Sequence, residues 1–462
     1  MFDLIINNGK VVTAKDSFKA DVGIKNGKIL AIGERLKGNS RTEIIDAKGK
    51  LVMPGAIDVH VHLQLPFCGT VSADDFENGT KAAACGGVTT VIDYAIQTKG
   101  STITEAIKAR KKEAETKVCV DYSLHGGITD WNDRTQKEVG EIIKKEGIPS
   151  FKMFMIYKTQ GWMADDGALY QALETTAPLG GMIMVHAESV FVLDMLVARY
   201  HEIKNKVSAY GHVLSRPNFT EYEAVQRAVL WAEVTGGKLY VVHISTGEAC
   251  DILKRSQEKG ARVYGETCPQ YLLLDDSVFK GKDGHLYATC PQIKKKKDSL
   301  RLWKALYDGE LAIVSTDTCT FDKKQKAMWK GDFTKIPFGM PGVETMLPLT
   351  FHFGKKKGFS INKIVEICCT NPAKLHGLYP EKGTLAIGSD ADIVVYDPNI
   401  KVKIDYHKLQ TNCDWSPYQG WQIQGWPTVT LSRGKIVAMN AKFVGEKGWG
   451  RFVKRKPFGE IR

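Results

Sequence analysis

Residues 57–67 read IDVHVHLQLPF, and two histidines, His60 and His62, stand one residue apart at the end of an apolar run. A strand turns residues i and i+2 to one face, so both imidazoles point the same way. Taken alone, the pair fits hydrogen-bonded core histidines as well as a metal site, where neutral imidazole is a common ligand. The rest of the chain decides between the two.

Working outward, the stretch is the first of eight short apolar runs separated by helix-like segments: MPGAIDVHVH, GVTTVIDY, KVCVDYSLH, IPSFKMFMIY, GMIMVHAE, KLYVVHIS, ARVYGETC and LAIVSTD. Segments such as TITEAIKARKKEAET and TEYEAVQRAVLWAEV lie between them. Eight βα units predict a (β/α)8 barrel of TIM type. The two ends of the chain have another texture, with short β-like runs and turns. Asn8-Gly9 and Asn26-Gly27 are hairpin signals, and KGTLAIGSDADIVVYDP and TVTLSRGKIVAMNAKFVG continue the pattern near the C-terminus. The expected organisation is one β-sandwich built from residues 1–52 and 377–445, a barrel over 53–376, and a tail over 446–462 that could contact another subunit.

At 462 residues, with 43% hydrophobic and 25% charged residues, the chain suits a large barrel with an accessory domain. MFDLIINNGK lacks the basic n-region and long apolar h-region of a secretory signal, so none is expected, and no segment offers about 18 uninterrupted apolar residues. The ten cysteines form no CxxC pair, so free thiols in a reducing cytoplasm are expected. The formal charge of +12 is densest at Lys294–Lys297 and around Arg451, Lys454, Arg455 and Lys456. Neither run carries interleaved aromatics, so a solvated basic surface is expected, with neither nucleic acid nor membrane as partner.

The runs carry ionisable residues within them or towards their C-terminal ends: His60, His62, Asp93, His125, Lys152, His186, His243, Glu266 and Asp317. Unpaired burial of such groups costs several kcal/mol, and the C-terminal rim of this barrel is where chemistry is built. Their convergence favours a metal site. Four histidines and an aspartate exceed one tetrahedral zinc with an open position and suit two metals. Lys152 does not fit as an ammonium, which has no lone pair; on the residues alone it reads as a lysine snorkelling to the rim or paired with an acid.

The chain resembles the amidohydrolase superfamily, and within it the dihydropyrimidinase and hydantoinase family of cyclic-amide hydrolases. The resemblance rests on DVHVHLQLPFCGTVSADDF, SFKMFMIYK, MVHAES, VVHIS, ETCPQYLLLD, STDTCTF, MPGVE, NPAKLHGLYPEKGTLAIGSDADIVV and RFVKRKPF, across essentially the whole chain. It implies that Lys152 carries a carbamate formed from CO2, bridging two divalent metals. By the same resemblance His60, His62 and Asp317 hold one metal and His186 and His243 the other. Ligands of oxygen and imidazole suit Zn2+, with Mn2+, Co2+ or Fe2+ open. The resemblance makes Asp317 the general acid and base, Tyr157 the donor to the oxyanion, and a homotetramer the assembly; without it, Tyr157 reads as a packed aromatic.

Dihydroorotases place an arginine shortly after the HxH pair, whereas Leu63, Gln64 and Leu65 follow it here. An uncharged ring with an apolar substituent, a dihydropyrimidine or a 5-substituted hydantoin, is the expected substrate. An allantoinase is the alternative among enzymes; a non-catalytic adaptor is the alternative outside them, though all six ligand positions are filled. Three departures from the family pattern bear on the substrate pocket: Thr318 after the aspartate, Cys290 where relatives have a serine that contacts the imide through its backbone, and Phe338 before the final Gly-Met-Pro-Gly.

Overall fold

The computed structural model describes residues 1–203, 208–457, 459 and 461. Eight parallel strands run in sequence order around a barrel: β1 (Ala56–Val61), β2 (Val88–Ile96), β3 (Asp121–Gly127), β4 (Ser150–Phe154), β5 (Met182–His186), β6 (Leu239–Val241), β7 (Val263–Thr267) and β8 (Ile313–Val314). The ring closes where Val61 bridges Thr318 and the His62 N–H donates to the Thr318 carbonyl at 2.8 Å. β1 is buried along its whole length, as expected for a strand covered on both faces. Lys152, Met184, Tyr240 and Tyr264 stand opposite one another in register on neighbouring strands, so they form one layer inside the barrel.

The chain ends form two further sheets. A four-stranded sheet runs Lys28–Gly33, Asp21–Lys25, Leu4–Asn7, Glu43–Asp46. In the other, of seven strands, Leu51–Pro54 of the N-terminal part pairs antiparallel with Ile393–Lys403 of the C-terminal part. Leu4, Ile6, Val22, Val52, Ile393 and Leu431 pack between the sheets in one apolar core. Asn26-Gly27 is the expected hairpin turn: Lys25 and Lys28 pair across it, and both turn residues have positive φ, 50° and 75°. Asn8-Gly9 is not. Leu4–Asn7 and Lys10–Val12 lie in different sheets, so this turn carries the chain between layers.

The basic runs are only partly solvated. Lys294 is buried, donating to Gln292 Oε1 at 2.5 Å and the Arg216 carbonyl at 3.2 Å, while Lys295, Lys296 and Lys297 are exposed. Arg455 is buried too, its guanidinium donating to Ser123 Oγ, the Leu124 carbonyl and Ser150 Oγ at 2.9, 2.5 and 2.8 Å. The tail thus seats an arginine against β3 and β4 instead of leaving it in solvent. Among the described residues no helix is long and apolar enough to cross a membrane.

Candidate metal centre at the barrel mouth

β1 ends by presenting His60 inward, and His62 follows two residues on. Their rings lie 5.1 Å apart, with His60 also 5.4 Å from His243. Asp317, just after β8, brings Oδ1 to 3.1 Å from His60 Nε2 and 3.3 Å from His62 Nε2. Lys152 from β4 lines the same narrow pocket, of about 40 Å³, with Tyr157, Cys290 and Phe338. The sequence therefore located most of its candidate residues on one rim.

Three unpartnered imidazole nitrogens gather near the Asp317 carboxylate. His60 Nδ1 meets Glu266 Oε1 at 2.5 Å, which leaves Nε2 aimed at the pocket without a hydrogen bond. His62 Nδ1 and His243 Nδ1 are also buried without partners. Orphaned buried polar atoms are rare in folded proteins, and a carboxylate behind a histidine is the usual support of a metal ligand. His60, His243 and Asp317 offer ligand atoms within 4.8 Å of one another. The donor set fits a divalent cation.

Protonation follows from burial and neighbours. Burial and the cationic side of His186 and Lys152 hold His243 well below the usual histidine range, hence neutral with a free lone pair. Burial alone would raise Asp317, but His60 and His62 beside it keep it well below the usual carboxylate range. Burial lowers Lys152 to about 8, against the pull of Asp317 and Glu266. An appreciable fraction of this amine is then uncharged near neutral pH, the form that can add to CO2.

Three site residues adopt positive φ without being glycine: Tyr157 at 64°, His243 at 39° and Asp317 at 52°. Each costs on the order of 1–3 kcal/mol and persists where surrounding structure dictates it. The Tyr157 ring stands edge-on to Phe67 and Trp162, at 5.5 and 5.8 Å, within an aromatic wall that includes Phe154. Gly339, at φ 145°, passes so close to the Cys319 carbonyl that a Cβ would collide, and its N–H donates to the Ala288 carbonyl at 2.9 Å.

Two of the ionisable residues expected at the rim are elsewhere. Asp93 faces outward, where Arg110 donates to it at 2.7 and 3.0 Å and the Leu63 N–H at 2.8 Å, because neighbouring strand residues point to opposite faces. His125 lies inside the barrel below the rim, satisfied by Ser150 Oγ at 2.6 Å and the Val59 carbonyl at 3.0 Å. His186 stands 4.5 Å ring to ring from His243, but its Nε2 pairs with Glu188 Oε2 at 2.7 Å. Glu188 in turn accepts from Arg216 at 3.1 Å and from the Cys290 thiol at 3.1 Å. Glu188 was missed although it follows His186 by two residues on one face. Arg216 arrives from a loop and leaves no spacing signal. Thr318 Oγ1 bonds Thr316 Oγ1 at 2.7 Å.

The Amidohydrolase family model matches residues 51–437. The D-hydantoinase of Geobacillus stearothermophilus is 42% identical over 461 residues, covering 99% of this chain and 97% of that protein. The dihydropyrimidinase of Rattus norvegicus is 37% identical over 469 residues, covering 99% and 90%. The crystal structure of dihydropyrimidinase from Brevibacillus agri NCHU1002 superposes with a TM-score of 0.96 at 42% identity, covering 99% of each chain.

Proposed function

Because the chain belongs to the amidohydrolase family, alongside its hydantoinases and dihydropyrimidinases, we propose that it opens a cyclic amide or imide ring. A dihydropyrimidine or a 5-substituted hydantoin would give the N-carbamoyl amino acid. The observation that carries this is the set of unpartnered imidazole nitrogens of His60, His62 and His243 around the Asp317 carboxylate. His60, His62 and Asp317 would hold one divalent ion and His186 and His243 a second, with Lys152, as its carbamate, between them. With Nε2 of His186 held by Glu188, Nδ1 is the nitrogen that would ligate. The donors are oxygen and imidazole, which suits Zn2+ and admits Mn2+, Co2+ or Fe2+. Two such ions supply Lewis acidity, lowering the pKa of water and polarising a carbonyl.

The chain's own groups do the rest. Asp317, ionised, accepts the proton of the attacking water and passes it to the departing ring nitrogen. Burial, with Cys290 hydrogen-bonded alongside, pushes the Tyr157 hydroxyl well above its ordinary range, so it stays protonated and can donate to the developing oxyanion. Glu266 fixes which nitrogen of His60 faces the pocket. Leu65, Phe67, Phe154, Trp162 and Phe338 give the mouth an apolar wall for a ring substituent. That wall offers little to the polar arm of allantoin. Cys290 and Phe338 line the pocket and would shape substrate choice.

A cytoplasmic location is supported by the ten free cysteines. The homotetramer rests on the family resemblance alone. The test is a spectroscopic comparison of dihydrouracil, phenylhydantoin and allantoin hydrolysis. Turnover of either of the first two in preference to allantoin is expected; turnover of allantoin alone, or of none by metal-loaded protein, overturns it.

A further inference from the structure

A second cavity, of about 280 Å³, lies behind the wall of the metal pocket and shares Tyr157 and Phe338 with it. Its lining is mixed: Ile156, Phe333, and Val190, Leu193 and Val197 from one face of the helix Val190–Glu202 are apolar, while Thr159, Gln160, Ser215 and Thr334 offer neutral polar groups. One charged group is built into it, Arg216, only 7% exposed. Arg216 Nη1 donates to both Glu188 oxygens, at 3.1 and 3.3 Å, and lies 3.4 Å from the Cys290 sulfur of the metal pocket. Arg216 Nε is buried without a partner. A guanidinium has five N–H donors, and leaving a buried one unused is costly unless something accepts it. His212, also lining the cavity, is neutral, lowered to about 3 by burial and the neighbouring Arg216, with Nε2 donating to the Thr289 carbonyl at 2.8 Å. At the rim Lys158 and Asp194 oppose each other in charge.

A chamber of mixed lining with one under-used guanidinium is the chemistry of a monocarboxylate that carries both an apolar part and a neutral polar group. Ring opening produces such a molecule: the neutral ring gains water across its C–N bond, the former carbonyl becoming a carboxylic acid that ionises by releasing a proton to solvent, and the departing nitrogen gaining an N–H. We propose that this chamber is a carboxylate site that takes up the N-carbamoyl amino acid as it leaves the metal pocket past Tyr157 and Phe338. The product assignment rests on the ring-opening activity proposed above; the carboxylate site rests on Arg216 and the chamber.

Phenylacetate and its neutral counterpart phenylacetamide, titrated calorimetrically into the full-length metal-loaded protein, test it. Phenylacetate is expected to bind at least tenfold more tightly than the amide. Val197→Trp, which fills the chamber without touching the pocket, should weaken phenylacetate at least tenfold at equal metal content. Thr334→Trp at the exposed rim, which decides the matter if the first variant fails to fold, should weaken it at least threefold. Equal binding of acid and amide, or unchanged phenylacetate binding in the folded variants, overturns the proposal. Hydrolysis of phenylhydantoin by the unmodified protein separates the two levels. Normal turnover with unaltered variants refutes the chamber alone. Absent turnover with binding lost in the variants refutes ring opening and leaves the carboxylate site standing.

Discussion

Lys152 and Asp317 divide the electrostatics of the pocket between them. Asp317 is kept charged by His60 and His62, while burial weakens the hold of Lys152 on its proton. Carbamate formation needs the neutral amine, so below about pH 8 its rate should rise about tenfold per pH unit and level off above. Reactivation of metal-stripped protein by zinc at fixed dissolved CO2, followed against pH, measures this; a flat profile contradicts it. Glu266→Gln keeps the shape behind His60 but removes the charge, and a 10–100-fold loss of zinc affinity is expected by competition with a chromophoric chelator. His60 and His62 were legible because a strand's two-residue period puts them on one face. Asp93 and His125 were misplaced because sequence position along a run gives neither the face nor the depth in the barrel with certainty. Glu188 and Arg216 left even less trace: their partnership spans 28 residues and forms only when a loop folds back.

Between elements, the loops after β7 and β8 are tied by a buried cation. Lys326 is wholly buried, and its Nζ donates to the carbonyls of Ala288 at 3.0 Å and Pro337 at 2.7 Å, next to the pocket residues Cys290 and Phe338. Among the described residues it has no carboxylate partner, and burial lowers it to about 7. In the unfolded chain a lysine titrates near 10.5. Below pH 7 both states carry the proton, and the folded state bears the full burial penalty. Between pH 7 and 10.5 only the unfolded state keeps the proton, so stability rises with pH. Relative to Lys326→Met, the wild type should gain about 2–3 kcal/mol from pH 6.5 to pH 9 in denaturant titrations. A pH-independent difference would contradict that assignment. The strand order followed from eight regularly spaced runs, whereas the passage of Asn8-Gly9 between sheets did not, since the same dipeptide serves a hairpin at Asn26-Gly27.

At the scale of the molecule, barrel and sandwich meet at Lys382, whose Nζ lies 2.9 Å from Asp121 of β3, 3.1 Å from Asp390 and 2.5 Å from Asp392. Lys382→Met would leave three buried acids, Asp392 with no other cation paired to it and Asp121 and Asp390 with only the peripheral Arg433, Lys28 and Arg451, and a loss of about 3–5 kcal/mol is expected from the denaturation midpoint. The general layout was readable because texture changes twice along the chain. The seating of Arg455 inside was not, because a basic tail looks the same whether solvated or buried. The proposed ring opening depends most on a pair of cations held at the barrel mouth. Elemental analysis of the purified chain, with Lys152→Ala alongside, tests it directly: about two divalent ions per chain in the wild type and most of them lost in the variant are predicted, whereas no bound metal, or full metal in the variant, would contradict it.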